Sequence, residues 1–153
     1  MRRYFIDLDG VLGDFDGHFF LRFGQWPTEF SRSQIHKMLA TDPYFFLELP
    51  AMEGAKDFWG WLQINNFNPI VLTGVPHQNY DQAVSNKKLW VAQNFGHRVP
   101  VITCRSEDKR LHGKPGDVLV DDRTKYQHLW EEMGGIFVHH QHFDITKLKL
   151  ATL

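Results

Sequence analysis

Two carboxylates follow an apolar run at the start of the chain, in Tyr4-Phe5-Ile6-Asp7-Leu8-Asp9-Gly10-Val11-Leu12. Residues i and i+2 leave an extended strand on the same side, so Asp7 and Asp9 repel one another unless something uses them together. A hard divalent cation such as Mg²⁺ does so: it prefers oxygen ligands, neutralises clustered carboxylates and keeps positions open for water and a phosphate. The pair also divides into two chemical roles, with Asp7 at the strand end as nucleophile and Asp9 just beyond it as proton donor and acceptor. A phosphoaspartate intermediate follows from that division. Taken alone, Asp9-Gly10 reads better as an ordinary turn after a strand.

The elements that must position such a pair are short apolar runs alternating with amphipathic stretches, the pattern of an α/β domain with a mainly parallel sheet. Five strands are expected: Tyr4 to Leu8, Pro69 to Thr73, Val99 to Thr103, Val118 to Asp121 and Ile136 to His139. Helical spacing marks Ala55 to Ile64, Ser85 to Phe95 before Gly96, and Thr124 to Met133 before Gly134-Gly135. Ligands of open α/β sheets bind beyond the carboxyl ends of the strands. At those ends stand Asp7-Leu8-Asp9-Gly10, Thr73-Gly74, Cys104-Arg105 followed by Lys109, and Asp121-Asp122-Arg123. Acids, a hydroxyl and cations thus converge on one rim. The segment from Asp14 to Leu49 is too long and too aromatic for a simple crossover and is expected to be a small helical insertion above the sheet.

Composition bounds the rest. A chain of 153 residues suits one compact domain. The 42% hydrophobic and 14% aromatic content demands a packed interior. A net charge of −1 without long single-sign runs argues against an extended nucleic-acid surface or an anionic membrane as partner, leaving a local phosphate pocket open. The single cysteine, Cys104, excludes an internal disulfide and fits a reducing compartment. The apolar stretch after Met1-Arg2-Arg3 is interrupted by Asp7 and Asp9, unlike a secretory signal, and no apolar run approaches membrane-spanning length. A cytoplasmic location is therefore expected.

Asp7-Leu8-Asp9-Gly10-Val11-Leu12, Val71-Leu72-Thr73-Gly74, a lysine, and Val118-Leu119-Val120-Asp121-Asp122 resemble, in this order, the four motifs of haloacid dehalogenase superfamily phosphatases. Within that superfamily the chain looks most like the 5′(3′)-deoxyribonucleotidases, through Asp14-Phe15, Phe45-Phe46-Leu47-Glu48-Leu49 with Glu53-Gly54-Ala55, Lys87-Lys88-Leu89-Trp90-Val91, and Asp121-Asp122-Arg123. The resemblance implies a Rossmann-like, doubly wound sheet in a single domain over 1–153, with a cap insertion over about 14–49. It also implies a Mg²⁺-dependent phosphomonoesterase that hydrolyses (deoxy)nucleoside monophosphates. Asp7 would attack phosphorus and Asp9 would protonate the leaving alcohol. Mg²⁺ would be held by Asp7, the Asp9 carbonyl and the Asp121-Asp122 pair, with Asp122 favoured over Asp121 as direct ligand. Thr73 and the Gly74 amide would hold a phosphate oxygen. Lys109 fills the lysine position, with Lys114 as its alternative, and Arg105 and Lys87 add secondary phosphate contacts.

Two lookalikes point elsewhere. Asp117 also fits a glycine-aspartate form of the fourth motif, but it precedes its strand and belongs at the opposite edge of the sheet. His139, His140 and His142 invite a zinc reading, which neighbouring residues facing opposite ways and the lack of a cysteine partner oppose. The covering insertion decides the substrate, and Phe15, Trp26, Phe45 and Phe46 are candidates to stack on a base, at about 1–3 kcal/mol per base. Each is also a candidate for the insertion's own core. The alternatives are a phosphatase for polynucleotide 3′ ends, sugar phosphates or phosphoproteins, a non-catalytic phosphate- or nucleotide-binding module, and a dehalogenase, which Asp9 and the Asp121-Asp122 pair disfavour.

Overall fold

The computed structural model describes residues 1–76 and 80–153. Five strands, β1 (Tyr4–Ile6), β2 (Ile70–Gly74), β3 (Val101–Cys104), β4 (Val118–Asp121) and β5 (Ile136–His139), form one all-parallel sheet in the order β3-β2-β1-β4-β5. All five expected strands are present, with ends shifted by up to two residues; β1 is shortened because Leu8 turns away, its carbonyl accepting from the amides of Val11, Leu12 and Gly13.

Among the described residues six α-helices accompany the sheet: α1 (Phe15–Phe23), α2 (Arg32–Ala40), α3 (Ala55–Ile64), α4 (Tyr80–Phe95), α5 (Gln127–Glu132) and α6 (Phe143–Ala151). Period-two alternation along the strands supplies two apolar faces. Ile6, Val71, Val118, Val120 and Val138 belong to the larger core, with Phe58, Trp59 and Leu62 of α3, Trp90 and Val91 of α4, and Leu150 of α6. Phe5, Leu72 and Leu119 pack with Trp130 of α5 in the smaller one. Helix α3 has the expected bounds and α4 begins earlier than expected. Helix α5 is shorter, since Thr124 and Tyr126 are used in the turns that lead into it. No helix among the described residues is long and apolar enough to cross a membrane.

Between β1 and α3 lie α1, a short 3₁₀ turn (Pro27–Glu29), α2 and a run of turns. The Asp14 carboxylate caps α1 through the Gly17 amide, and Gly24 ends it in the left-handed region. A Ser31/Gln34 capping box starts α2. Phe15, Phe19, Phe23, Phe45 and Phe46 pack ring on ring beneath these helices. Arg22 ties the turns to α1 by ion pairs to Asp42 and Glu48.

Candidate active site

The chain winds outward one way from β1 through β2 to β3, then returns to β1's other side for β4 and β5, so the order reverses between β1 and β4. A crevice opens beyond the carboxyl ends of strands at such a point. Asp7 lies at the end of β1, its amide donating to Val120 of β4 at 2.9 Å, and Asp121 closes β4. The two strands therefore deliver their acids side by side. Gly10 adjoins them with φ +84°, and a Cβ there would lie 2.1 Å from Asp122 Oδ2. Only glycine lets the loop after β1 adopt this turn while the Asp122 carboxylate rests against it.

Asp7, Asp121 and Asp122 each offer a carboxylate oxygen, all within 4.8 Å of one another. Lys109 Nζ donates to Asp7 Oδ1 at 2.8 Å and to Asp121 Oδ2 at 2.9 Å. Burial, then the Asp121 charge, pushes the Asp7 carboxyl well above the usual range against the pull of Lys109. Burial and Asp121 likewise push Asp122 up to about 7. Burial would raise Asp121 too, but Lys109 and the Arg123 amide hold it low. For Lys109, burial is outweighed by Asp7 and Asp121, which keep it more firmly protonated than a free lysine. One buried ammonium thus faces a group of acids that exceeds it in charge. Asp9 Oδ1 and Asp122 Oδ1 are buried with no hydrogen-bond partner. An all-oxygen donor set with uncompensated charge and unsatisfied lone pairs fits a hard divalent cation.

A second buried lysine serves the other carboxylate. On α4 the buried residues Ala83, Lys87, Trp90 and Val91 recur at helical spacing, so Lys87 occupies an apolar-stripe position and is only 1% exposed. Its Nζ donates to Asp9 Oδ2 at 2.8 Å, Thr73 Oγ1 at 3.0 Å and the Gly74 carbonyl at 2.6 Å, and it lies 4.4 Å from the Phe46 ring centroid. All three donors of the ammonium are used.

A cleft of about 520 Å³ opens over these groups. Of the residues singled out in the sequence, Asp7, Asp9, Phe15, Phe46, Gly74, Lys87, Lys109, Asp121, Asp122 and Arg123 line it together. Others fall elsewhere. Thr73 is fully buried behind the wall, its hydroxyl taken by Lys87. Phe45 is fully buried among Phe15, Phe23 and Phe46, and Trp26 stacks on Phe20 at 4.6 Å on the outside, so neither presents a face to the cleft. Arg105 is exposed and Lys114 lies at the far edge of the sheet, its amide donating to Asp117, so neither lines the cleft. Of the two candidate lysines, only Lys109 therefore reaches the acids. Asp117 is at the opposite edge, where Arg3 and Lys114 satisfy it. Of the histidines, His139 Nε2 bonds the Asp122 carbonyl at 3.0 Å and His140 Nδ1 bonds Thr146 at 2.8 Å. No histidine belongs to the metal-competent group found among the described residues.

Sequence reasoning missed several cleft residues. Ser106 opens a 3₁₀ helix (Ser106–His112) that also carries Lys109, and a Cβ on Gly74 would lie 2.2 Å from its hydroxyl, so Gly74 makes room for it. Arg32, Ile35, His36 and Leu39 of α2, Glu107 and Arg110 of the 3₁₀ helix, and Asp16, Lys125 and Tyr126 complete the walls and rim. The helical spacing of the α2 set was the available signal; the others rest on tertiary placement.

No protein-family model matches the chain. Among solved structures it is similar to the D,D-heptose 1,7-bisphosphate phosphatase from Burkholderia thailandensis, with a TM-score of 0.61 and 11% identity over 100% of both chains. It is also similar to a HAD-superfamily hydrolase from Ehrlichia chaffeensis, with a TM-score of 0.58 and 14% identity, covering 99% of this chain and 98% of that one. At such identities the likeness is one of architecture, and the chain has the α/β fold seen in haloacid dehalogenase-like phosphatases and hydrolases.

Proposed function

We propose that the protein is a phosphomonoesterase working through a phosphoaspartate, with deoxynucleoside monophosphates as its leading substrates. The observation that carries this reading is the cluster of Asp7, Asp121 and Asp122 around Lys109, with unsatisfied oxygens on Asp122 and Asp9 facing the same crevice. Asp7 and the Asp121-Asp122 pair would hold Mg²⁺ together with the Asp9 carbonyl. Bound there, the ion would neutralise the clustered charge and offset that of the incoming phosphate.

The Asp7 carboxylate attacks phosphorus, and the alcohol leaves with a proton from Asp9. Asp9 then removes a proton from the attacking water, which splits the acyl phosphate and returns Asp7 as carboxylate. Lys87 fixes the Asp9 carboxyl through Oδ2 and leaves Oδ1 without a hydrogen-bond partner, the oxygen that would carry that proton. Lys109 orients Asp7 through Oδ1, and Ser106 and Gly74 line the wall where phosphate oxygens would sit. The segment over about 14–49 acts as a small cap. Phe15 and Phe46, the aromatics from that segment that line the cleft, are the surfaces available for stacking on a base.

A sugar phosphate is the second reading. It is favoured by the placement of Phe45 and Trp26 outside the cleft, which halves the aromatic surface expected for a base, and by the name of the heptose bisphosphate phosphatase. A panel of phosphomonoesters assayed with Mg²⁺ tests both. Deoxynucleoside monophosphates should be turned over well ahead of hexose phosphates and a generic aryl phosphate. Parity with the aryl phosphate would remove the nucleotidase reading, and no turnover of any ester would remove the phosphatase.

A further inference from the structure

The two buried lysines of the catalytic floor, Lys87 and Lys109, are engaged by its own acids, and the same cleft carries further positive charge at its rim. The 3₁₀ helix has three residues per turn, so side chains at i and i+3 eclipse. Ser106 and Lys109 form one column, Glu107 and Arg110 the next, and all four line the cleft. Opposite the second column stands Arg32, the first residue of α2, donating to Glu107 at 3.2 Å and to the Tyr126 hydroxyl at 3.0 Å. Lys125 lies over the Tyr126 ring, 5.3 Å from its centroid.

Three cationic side chains from three separate elements therefore border one mouth. Glu107 is the carboxylate paired with Arg32, and the other acid above the floor, Asp16, is matched by Arg123, which lines the same cleft, so a surplus of two positive charges remains. The Arg110 guanidinium makes no hydrogen bond or ion pair with any described residue while lining the cleft. Arg32 uses two of its five N–H donors in the bonds above. Between rim and floor, α2 presents Ile35 and Leu39, with Phe46 and Val75 across from them. The cleft is thus polar at both ends and apolar in the middle. A substrate with one phosphate and an otherwise neutral body would leave the Arg110 guanidinium without an anion and the spare donors of Arg32 unused.

We infer that the rim formed by Arg32, Arg110 and Lys125 is a second phosphate subsite, and that the preferred substrate carries a further phosphate beyond the one removed. The inference rests on the phosphomonoesterase reading and narrows its substrate class to phosphomonoesters with a second phosphate anion. That anion can be a second ester on the same sugar or the phosphodiester of a short oligonucleotide; both present the same oxygens to guanidinium forks.

The test compares kcat/KM, by phosphate release, for a deoxynucleoside 5′-monophosphate, the matching 3′,5′-bisphosphate and a 5′-phosphorylated dinucleotide. Charge-assisted hydrogen bonds of this kind predict a preference of about ten- to a hundredfold for at least one doubly charged substrate. A gain in the bisphosphate arm alone identifies a second ester, and a gain in the dinucleotide arm alone identifies a phosphodiester. Arg110→Gln and Lys125→Gln should each pull that ratio toward one, and rising ionic strength should shrink it. Equal kcat/KM values, or a ratio untouched by both variants, overturn the inference while leaving the phosphatase reading intact. Equilibrium binding to the Asp7→Asn protein keeps the two separable if no ester is turned over. The doubly phosphorylated ligand should still bind about tenfold or more tightly than the monophosphate, and equal affinities would again overturn the subsite.

Discussion

Asp117 and Asp121 stand at opposite ends of one strand and have opposite fates. Asp117, fully buried just before β4, receives four hydrogen bonds: the Arg3 amide on Oδ1, and the Arg3 guanidinium twice plus the Lys114 amide on Oδ2. These hold its carboxyl below the usual range despite burial. At the other end, Asp121 shares one lysine with Asp7 while Asp122 keeps a buried oxygen without a partner and is pushed up to about 7. The first arrangement is complete, and the second lacks positive charge. A carboxylate that the fold satisfies is a structural device, whereas a group of carboxylates that it leaves short of partners is a site awaiting a ligand.

The largest expected effect breaks the functional end. Asp7→Asn removes the nucleophile and should lower turnover by at least about 10³-fold, measured as phosphate release, with the melting temperature kept or raised. A variant with near-normal turnover would show that the clustered end is not catalytic. Asp117→Ala does the reverse. It strands the Arg3 and Lys114 amides and should cost about 2–4 kcal/mol in urea unfolding, with kcat little changed below the transition. Should Asp117→Ala abolish turnover in a fully folded protein, the division between the two ends would fail.

Gly10→Ala sharpens the comparison, because it disturbs the functional end through the backbone alone. A left-handed alanine whose Cβ would sit 2.1 Å from Asp122 Oδ2 must shift that carboxylate or the loop. A stability loss of about 1–2 kcal/mol is expected, with Mg²⁺ dependence moved to higher concentration. The smallest effect is a pH slope. Asp122 titrates near 3.8 unfolded and about 7 folded, so the folded state binds the extra proton between those values. Its contribution to stability is present below about pH 4 and lost as pH rises through 7. In metal-free buffer at pH 8, Asp122→Asn should therefore be more stable than the wild type by about 1–3 kcal/mol, with the difference shrinking toward pH 4. A difference that grows on acidification would contradict the assignment of strain to this carboxyl.

Local pattern carried much of this molecule. The strands were legible because their apolar runs are short and bounded by Asp, Gly and Thr, and the acids at their ends could be grouped by asking which edge of the sheet each reaches. Helix α6 escaped notice because Phe143, Ile145, Leu148 and Leu150 are spread around it instead of forming one stripe. Lys87 was visible as a residue but not as a buried one. A lysine in an apolar stripe reads as a surface position until Asp9, Thr73 and the Gly74 carbonyl are seen to surround it. Phe45 and Trp26 misled for the converse reason, since aromatic content says nothing about which ring faces inward. The rim of Arg32, Arg110, Lys125 and Tyr126 comes from segments up to 94 residues apart and had no local signature.

Titration of the metal-free protein with Mg²⁺, followed by thermal unfolding, tests most directly whether the acids of β1 and β4 form one cation site. A saturable rise in melting temperature is predicted for the wild type, abolished or strongly weakened in Asp122→Asn and unaffected in a conservative variant at the other end of β4, Asp117→Glu, if that variant folds. No rise in the wild type, or an equal rise in Asp122→Asn, would contradict the account.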